Sequence, residues 1–208
     1  MAYGLVMLSP AQRRMAGQIE ASLARMARYD DESIVHDKWI RQRYDCGCYR
    51  TYAPARRAAV RTAWHEAGHA VAALALGARF SSASIHHGVR SEGRVHRISA
   101  VTDTAFVIDA AGQIAERLMD WTMLDRDDDL ARWLPTWRTD GGDAMRFRRA
   151  IGARFGTDEV GAWRFSETVL TPLRPQTRHL ARALLVSAQH VPYPVAASLT
   201  GMGVSAAH

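Results

Sequence analysis

His65, Glu66 and His69 are the residues of this chain whose types and spacing can do chemistry. In a helix, positions four apart lie one above the other, so the two imidazoles can face one metal ion. Glu66 stands about 100° round from His65, near enough to take a proton from a water that such a metal activates. A helical H-E-x-x-H with this layout suits metal-assisted hydrolysis of a peptide bond, the metal being zinc and Glu66 the general base. The plain alternative is a pair of solvated helix histidines with a chance glutamate between them. With only 9 His in 208 residues, a chance match is rare.

The helix that must carry this set runs from Pro54 to near Gly77, a residue able to take the left-handed conformation of a helix end. Val60, Trp64, Ala67, Val71 and Leu74 recur with helical period on the side away from the histidines and predict a face docked on a core. Two loosely alternating runs follow, 78–87 (Phe80, Ala83, Ile85) and 93–101 (Val95, Ile98, Val101), with a loop between them wide enough for a hairpin. A strand beside a metal helix can hold a substrate backbone in extended form by strand addition. His86, His87 and His96 on this hairpin could line a substrate groove or lie on its surface.

Further on, Thr102-Asp103 caps a helix with the stripe Val107, Ala110, Ile114, Leu118 and Trp121. Asp125, Asp127, Asp128 and Asp129 mark an irregular acidic stretch. A helix then opens at 139–143 and runs through Ala144, Phe147 and Ile151, and another opens from Asp158. Pro172 and Pro175 punctuate that last helix, 178–189 is helical, and 195–200 forms a last short turn. Upstream, Ser9 and Pro10 start an amphipathic helix to Tyr29 with Met15, Ile19, Leu23 and Met26 on one stripe. A second helix after Asp30–Ser33 turns Val35, Trp39, Ile40 and Tyr44 inward. The expected fold is mainly α with a small β-hairpin or sheet. Residues 1–53 form an N-terminal helical segment and 54–208 a helical zinc-metallopeptidase domain.

Composition narrows the classes. A hydrophobic content of 48% with six Trp describes a globular chain rather than a disordered one. Residues 1–61 carry 11 Lys or Arg against 6 Asp or Glu, which is +5 of the net +6. Such a basic third can touch nucleic acid, an anionic membrane or an acidic partner, or be a solvated surface; no aromatic-interleaved basic motif favours nucleic acid. No stretch of eighteen apolar residues occurs, so a soluble, cytoplasmic protein is expected. Cys46 and Cys48 are too close for an easy disulfide and too few for a structural zinc site without help such as His36; reduced thiols are expected. No G-x-x-x-x-G-K-[ST] phosphate loop is present, so no ATPase is expected within the chain.

The phrase Trp64-His65-Glu66-Ala67-Gly68-His69-Ala70-Val71 resembles the metal helix of the FtsH-type ATP-dependent zinc metalloproteases nearly residue for residue. Residues 109–118 are similar to that family's small-residue helix with its alanine–glutamate pair. Gly141-Gly142-Asp143-Ala144-Met145 resembles the short turn ending in the aspartate that completes the metal site. The resemblance spans roughly 56–200 and implies a peptidase domain with Zn²⁺ held by His65, His69 and Asp143 and with Glu66 as base. It also departs from the family, which joins this domain to a membrane anchor and an ATPase module. Read by themselves, Asp140 and Asp143 also fit a helix N-terminus, where carboxylates stabilise free amides. Glu116 could orient a ligand from outside the coordination sphere or sit on a solvated helix face.

The expected substrate is therefore an unfolded or flexible protein segment, or one delivered by a separate unfolding partner. Two rival readings share the metal site: a regulatory protease specific for one protein such as a repressor, and a non-catalytic metal-binding interaction module. The acid at Glu66 argues against the second, since a scaffold has no chemical use for it.

Overall fold

A computed structural model of the chain describes residues 7–28, 52–86, 92–99, 102–120, 126–137, 142–187 and 190–202. The expected second N-terminal helix, His36, Cys46, Cys48, His87, Trp121, Asp125 and Asp140 lie outside the described residues. The described fold is mainly helical with one small antiparallel sheet, as the sequence predicts.

Helix α1 (Pro10–Arg25) begins with a reciprocal cap: the Gln12 amide donates to Ser9 Oγ and the Ser9 amide donates to Gln12 Oε1. Its stripe buries Ile19 and Leu23, with Met15 and Met26 buried in part. The helix packs against two C-terminal helices, α7 (Arg174–Val186) and α8 (Tyr193–Thr200), so it belongs to the main core.

Helix α2 (Tyr52–Ala75) is the central element. Val60, Trp64, Ala67, Val71 and Leu74 are all buried, as their spacing predicts. The helix closes on Gly77 at φ 73°, with the Ala78 amide donating to Ala73 O at 2.8 Å, the longer bond of a Schellman end. Helix α3 (Ala105–Asp120) packs on one side of α2, and α7 on another. The approach of α2 to α3 is close because small residues meet there. A Cβ built at Gly68 would lie 2.5 Å from Ala111 O and 2.6 Å from Ala115 Cβ. Backbones this near leave little lever arm between residues on the two helices.

The hairpin is shorter than the alternation suggests. Strand β1 (Ser82–His86) pairs antiparallel with β2 (Glu92–His96), with Ala83 opposite Val95 and Ile85 opposite Gly93. Arg97, at φ 55°, turns the chain out of β2. A third strand, β3 (His190–Pro192), pairs with the other side of β1, giving the order β2-β1-β3 and, among the described residues, leaving β2 at an edge. That strand has no period-2 signal, being three residues long and ending in proline. Ala83, Ile85 and Val191 face the helices and are fully buried.

Helix α3 starts after a 3₁₀ turn at Thr102–Thr104, and its stripe Val107, Ala110, Ile114 and Leu118 is buried. The acidic stretch is not wholly irregular: Asp127–Trp133 is a short helix, α4. Three aspartates in its first turn favour the helix dipole, while Leu130 and, just beyond the helix, Leu134 are buried. Helix α5 (Asp143–Phe155) follows Gly142, which takes φ 81° as its cap, and α6 (Glu159–Leu170) is capped by Asp158 accepting from the Gly161 amide. Helix α7 starts at Arg174, four residues earlier than expected, because Pro175 fits a helix first turn. Phe106, Phe147, Trp137 and Trp163 interlock with ring centroids 5.2 to 6.4 Å apart, pinning α5 against α3 and α6.

Candidate metal centre

His65 and His69 project from α2 towards α3, one turn apart, with ring centroids 4.7 Å apart and planes crossing at 77°. Asp143 reaches them from the first turn of α5. It shares a helix face with Phe147, four residues on, whose fully buried ring anchors that turn. Three atoms converge: the two Nε2 atoms are 3.0 Å apart, and Asp143 Oδ2 lies 3.2 Å from that of His65 and 3.5 Å from that of His69. Donors about 2.0–2.1 Å from a tetrahedral ion are separated by about 3.3 Å, so this triangle has the size of one face of a zinc site. Among the described residues it is the one such His/Cys/Asp/Glu cluster.

Helix α3 holds the two histidines from behind. His69 Nδ1 lies 2.6 Å from Ile108 O, an atom that only accepts, so the proton of a neutral His69 is on Nδ1. His65 Nδ1 lies 2.8 Å from Glu116 Oε1, which fixes the same tautomer. Both Nε2 atoms then present lone pairs to each other and to a carboxylate. Three acceptors facing inward repel unless a cation or a proton lies among them. Gly112, between Ile108 and Glu116 on the same face, leaves room for both rings: a Cβ there would be 2.5 Å from each Nε2. Arg61 links Glu116 to Asp120 at 3.5 and 3.6 Å and extends the network outward.

The electrostatics fit a cation-binding site. Burial alone would lower the His65 pKa, but its hydrogen bonds to Asp143 and Glu116 and the nearby Glu66 outweigh it and raise it to about 10. Burial opposes ionisation of Asp143, yet the two imidazoles hold its carboxyl well below the usual carboxylate range. Burial pushes the Glu66 carboxyl up, against the pull of His69 and His65 and of the Val95 amide, which donates to it. Asp109 is likewise pushed up by burial, opposed by Arg146.

Glu66, 6% exposed, leans on the edge strand. Gly93 of β2 faces it so closely that any Cβ there would run into its side chain. His65, Glu66, His69, Asp143, Gly93 and Val95 all line one cleft of about 670 Å³, to which Arg94, Ile98, Asp109 and Arg146 also contribute. The cleft thus brings together His65, Glu66, His69 and Asp143, and Glu116 lies behind His65. His96 is not part of it, since its Nε2 pairs with Ser84 Oγ at 2.9 Å. Asp127 pairs with Arg164 on α6 and does not line the cleft.

Ile108, Asp109, Gly112 and Arg146 were not singled out by residue type. The Ile108 contribution is a carbonyl and has no sequence signature at all. The Asp143–Arg146 spacing, one helical turn, is the one signal that could have marked the arginine. No family model matches the chain, and no curated protein or solved structure matches it.

Proposed function

We propose that the chain is a zinc-dependent endopeptidase whose catalytic domain is of the FtsH type, with His65, His69 and Asp143 as ligands and Glu66 as general base. One observation carries this reading: three acceptor atoms converge on a single point, with a buried glutamate beside them against an edge strand. The donor set fits a first-row divalent ion, with both imidazole protons tied off and a carboxylate as third donor; cobalt and manganese would also be accepted.

When bound, the metal supplies a Lewis acid for the scissile carbonyl and lowers the pKa of water. Glu66 takes the proton of the attacking water and returns it to the leaving amine. A carboxyl pushed up by burial suits both steps, since it holds a proton well enough to carry it. The edge of β2 lies along the cleft and offers backbone groups to an extended segment, which is then held across Glu66 and the histidine pair. Such a cleft admits a few residues of extended chain, so the substrate is unfolded or flexible, or is delivered by a separate unfolding partner. Among the described residues no helix is long and apolar enough to cross a membrane, and we place the activity in the cytoplasm.

Metal content per chain, measured beside cleavage of unfolded casein, tests the reading. Wild type and Glu66→Gln should each bind one zinc, and only wild type should cleave. Asp143→Asn, if folded, should lose the metal. A folded wild type that binds no zinc when it is supplied would overturn the proposal.

A further inference from the structure

We propose that Arg146, held by Asp109, is a positioning residue that makes Asp143 present a single oxygen to the metal. The inference rests on the metal-centre reading above and concerns how that centre stays open.

The two oxygens of Asp143 have different partners. Oδ2 faces the two histidines at 3.2 and 3.5 Å, whereas Oδ1 accepts a charge-assisted bond from Arg146 Nη2. The Arg146 side chain is 54% exposed and lines the cleft, so left to itself it would sample several rotamers. Asp109 prevents this. Its Oδ1 accepts from Arg146 Nε at 2.9 Å, and its side chain is only 15% exposed. Nε and Nη2 form one edge of the guanidinium, the edge that ordinarily grips both oxygens of one carboxylate. Here that edge is shared between Asp109 on α3 and Asp143 on α5. The arginine is a strut between two helices, with its direction set from α3.

The chemical consequence is a coordination number. A carboxylate free to turn about its last torsion can offer both oxygens to a metal and fill a position that water needs. With Oδ1 engaged by Arg146, Asp143 can offer only Oδ2, and three protein donors leave a fourth position open. Asp109 lies outside the metal cluster itself, and nothing else in the proposed chemistry uses it. Lysine cannot replace Arg146, because a point charge cannot bond two carboxylates along a fixed edge.

The test uses the full chain loaded with Co²⁺, which reports coordination number through its visible absorption. Wild type, Asp109→Asn, Arg146→Gln and Arg146→Lys are compared for Co²⁺ affinity by competition with a chromophoric chelator, for spectrum, and for melting temperature. Asp109→Asn and Arg146→Gln should bind about 10- to 100-fold more weakly. Their bands should be weaker, as five-coordinate cobalt absorbs less than four-coordinate. Arg146→Lys should resemble Arg146→Gln rather than wild type. If Asp109→Asn and Arg146→Gln fold and keep the wild-type affinity and spectrum, the strut is only a structural ion pair and the inference fails. If wild type itself binds no cobalt, the metal-centre reading falls and takes this inference with it. The wild-type measurement therefore separates the two failures.

Discussion

Gly112 on α3 faces the Nε2 atoms of both His65 and His69 across the helix interface, with no room for even one carbon atom more. The glycine is therefore part of the candidate metal centre although it offers no ligand atom. Gly112→Ala should force the imidazoles apart or push α3 away from α2. Overpacking of this kind costs about 1–3 kcal/mol. Thermal melting should register that loss, and zinc titration should show weaker binding than the loss of stability alone explains, because the added methyl occupies space the rings need. A Gly112→Ala protein with wild-type zinc affinity would mean that the rings can retreat freely and that the glycine serves packing alone.

Glu66→Gln removes the proposed base while keeping size and shape. Glutamine can still accept from the Val95 amide through its carbonyl oxygen, so the contact with β2 should survive. Zinc content should stay at one per chain, and the cleavage rate should fall about 10²- to 10⁴-fold, the span expected for loss of a general acid–base group. Retained cleavage would remove Glu66 from the proposed mechanism.

The parts that were legible in the sequence are those whose physics is periodic or chemically distinctive. Val60, Trp64, Ala67, Val71 and Leu74 announced the buried face of α2, and Gly77 its end, because a 3.6-residue period and a left-handed turn both leave marks on residue types. His65, Glu66 and His69 stood out by spacing. Asp143 was drawn in by resemblance, and its own sequence context suited a helix cap equally well; it occupies both places, in the first turn of α5 and at the cluster. The back of the site was not legible. A carbonyl at Ile108 and an absent side chain at Gly112 act through space, between helices joined only by tertiary packing. The acidic helix α4 hides in the sequence because three consecutive aspartates look like a loop until the dipole and the buried Leu130 are counted.

The metal-free protein should lose stability as the pH rises from about 6.5 to about 10. His65 has a folded-state pKa of about 10 against 6.5 for an ordinary histidine, so its contribution is fully present below 6.5 and is lost as pH passes through 10. Asp143, held low in the folded state, contributes above the ordinary carboxylate range and loses that contribution only in strong acid. Glu66, pushed up by burial, adds a decline that begins as pH rises through the ordinary carboxylate range and ends once the carboxyl ionises in the fold. Melting temperatures measured across this range with chelator present should fall on the alkaline side. With zinc bound, the metal takes the place of the proton between the ligands, and the slope should flatten. Parallel curves with and without zinc would contradict this assignment of the proton.

Phe147 links the aromatic cluster to Asp143 one turn away. Its ring packs against Trp137, Trp163 and Phe106, and its position on α5 fixes the direction in which Asp143 points. Phe147→Leu should lower stability by about 1–2 kcal/mol through lost contacts and a partly filled cavity. It should also weaken zinc binding several-fold, since the first turn of α5 loses its anchor. Leu23→Ala supplies the comparison. Leu23 is also buried in the core but sits on α1 against α7 and α8, away from the cluster, so its loss should destabilise the fold by about 2–5 kcal/mol while leaving the zinc affinity of the folded protein unchanged. Zinc titration of both variants well below their melting temperatures separates the two effects. Equal loss of affinity in both would show that metal binding follows global stability, and that the aromatic cluster has no special hold on Asp143.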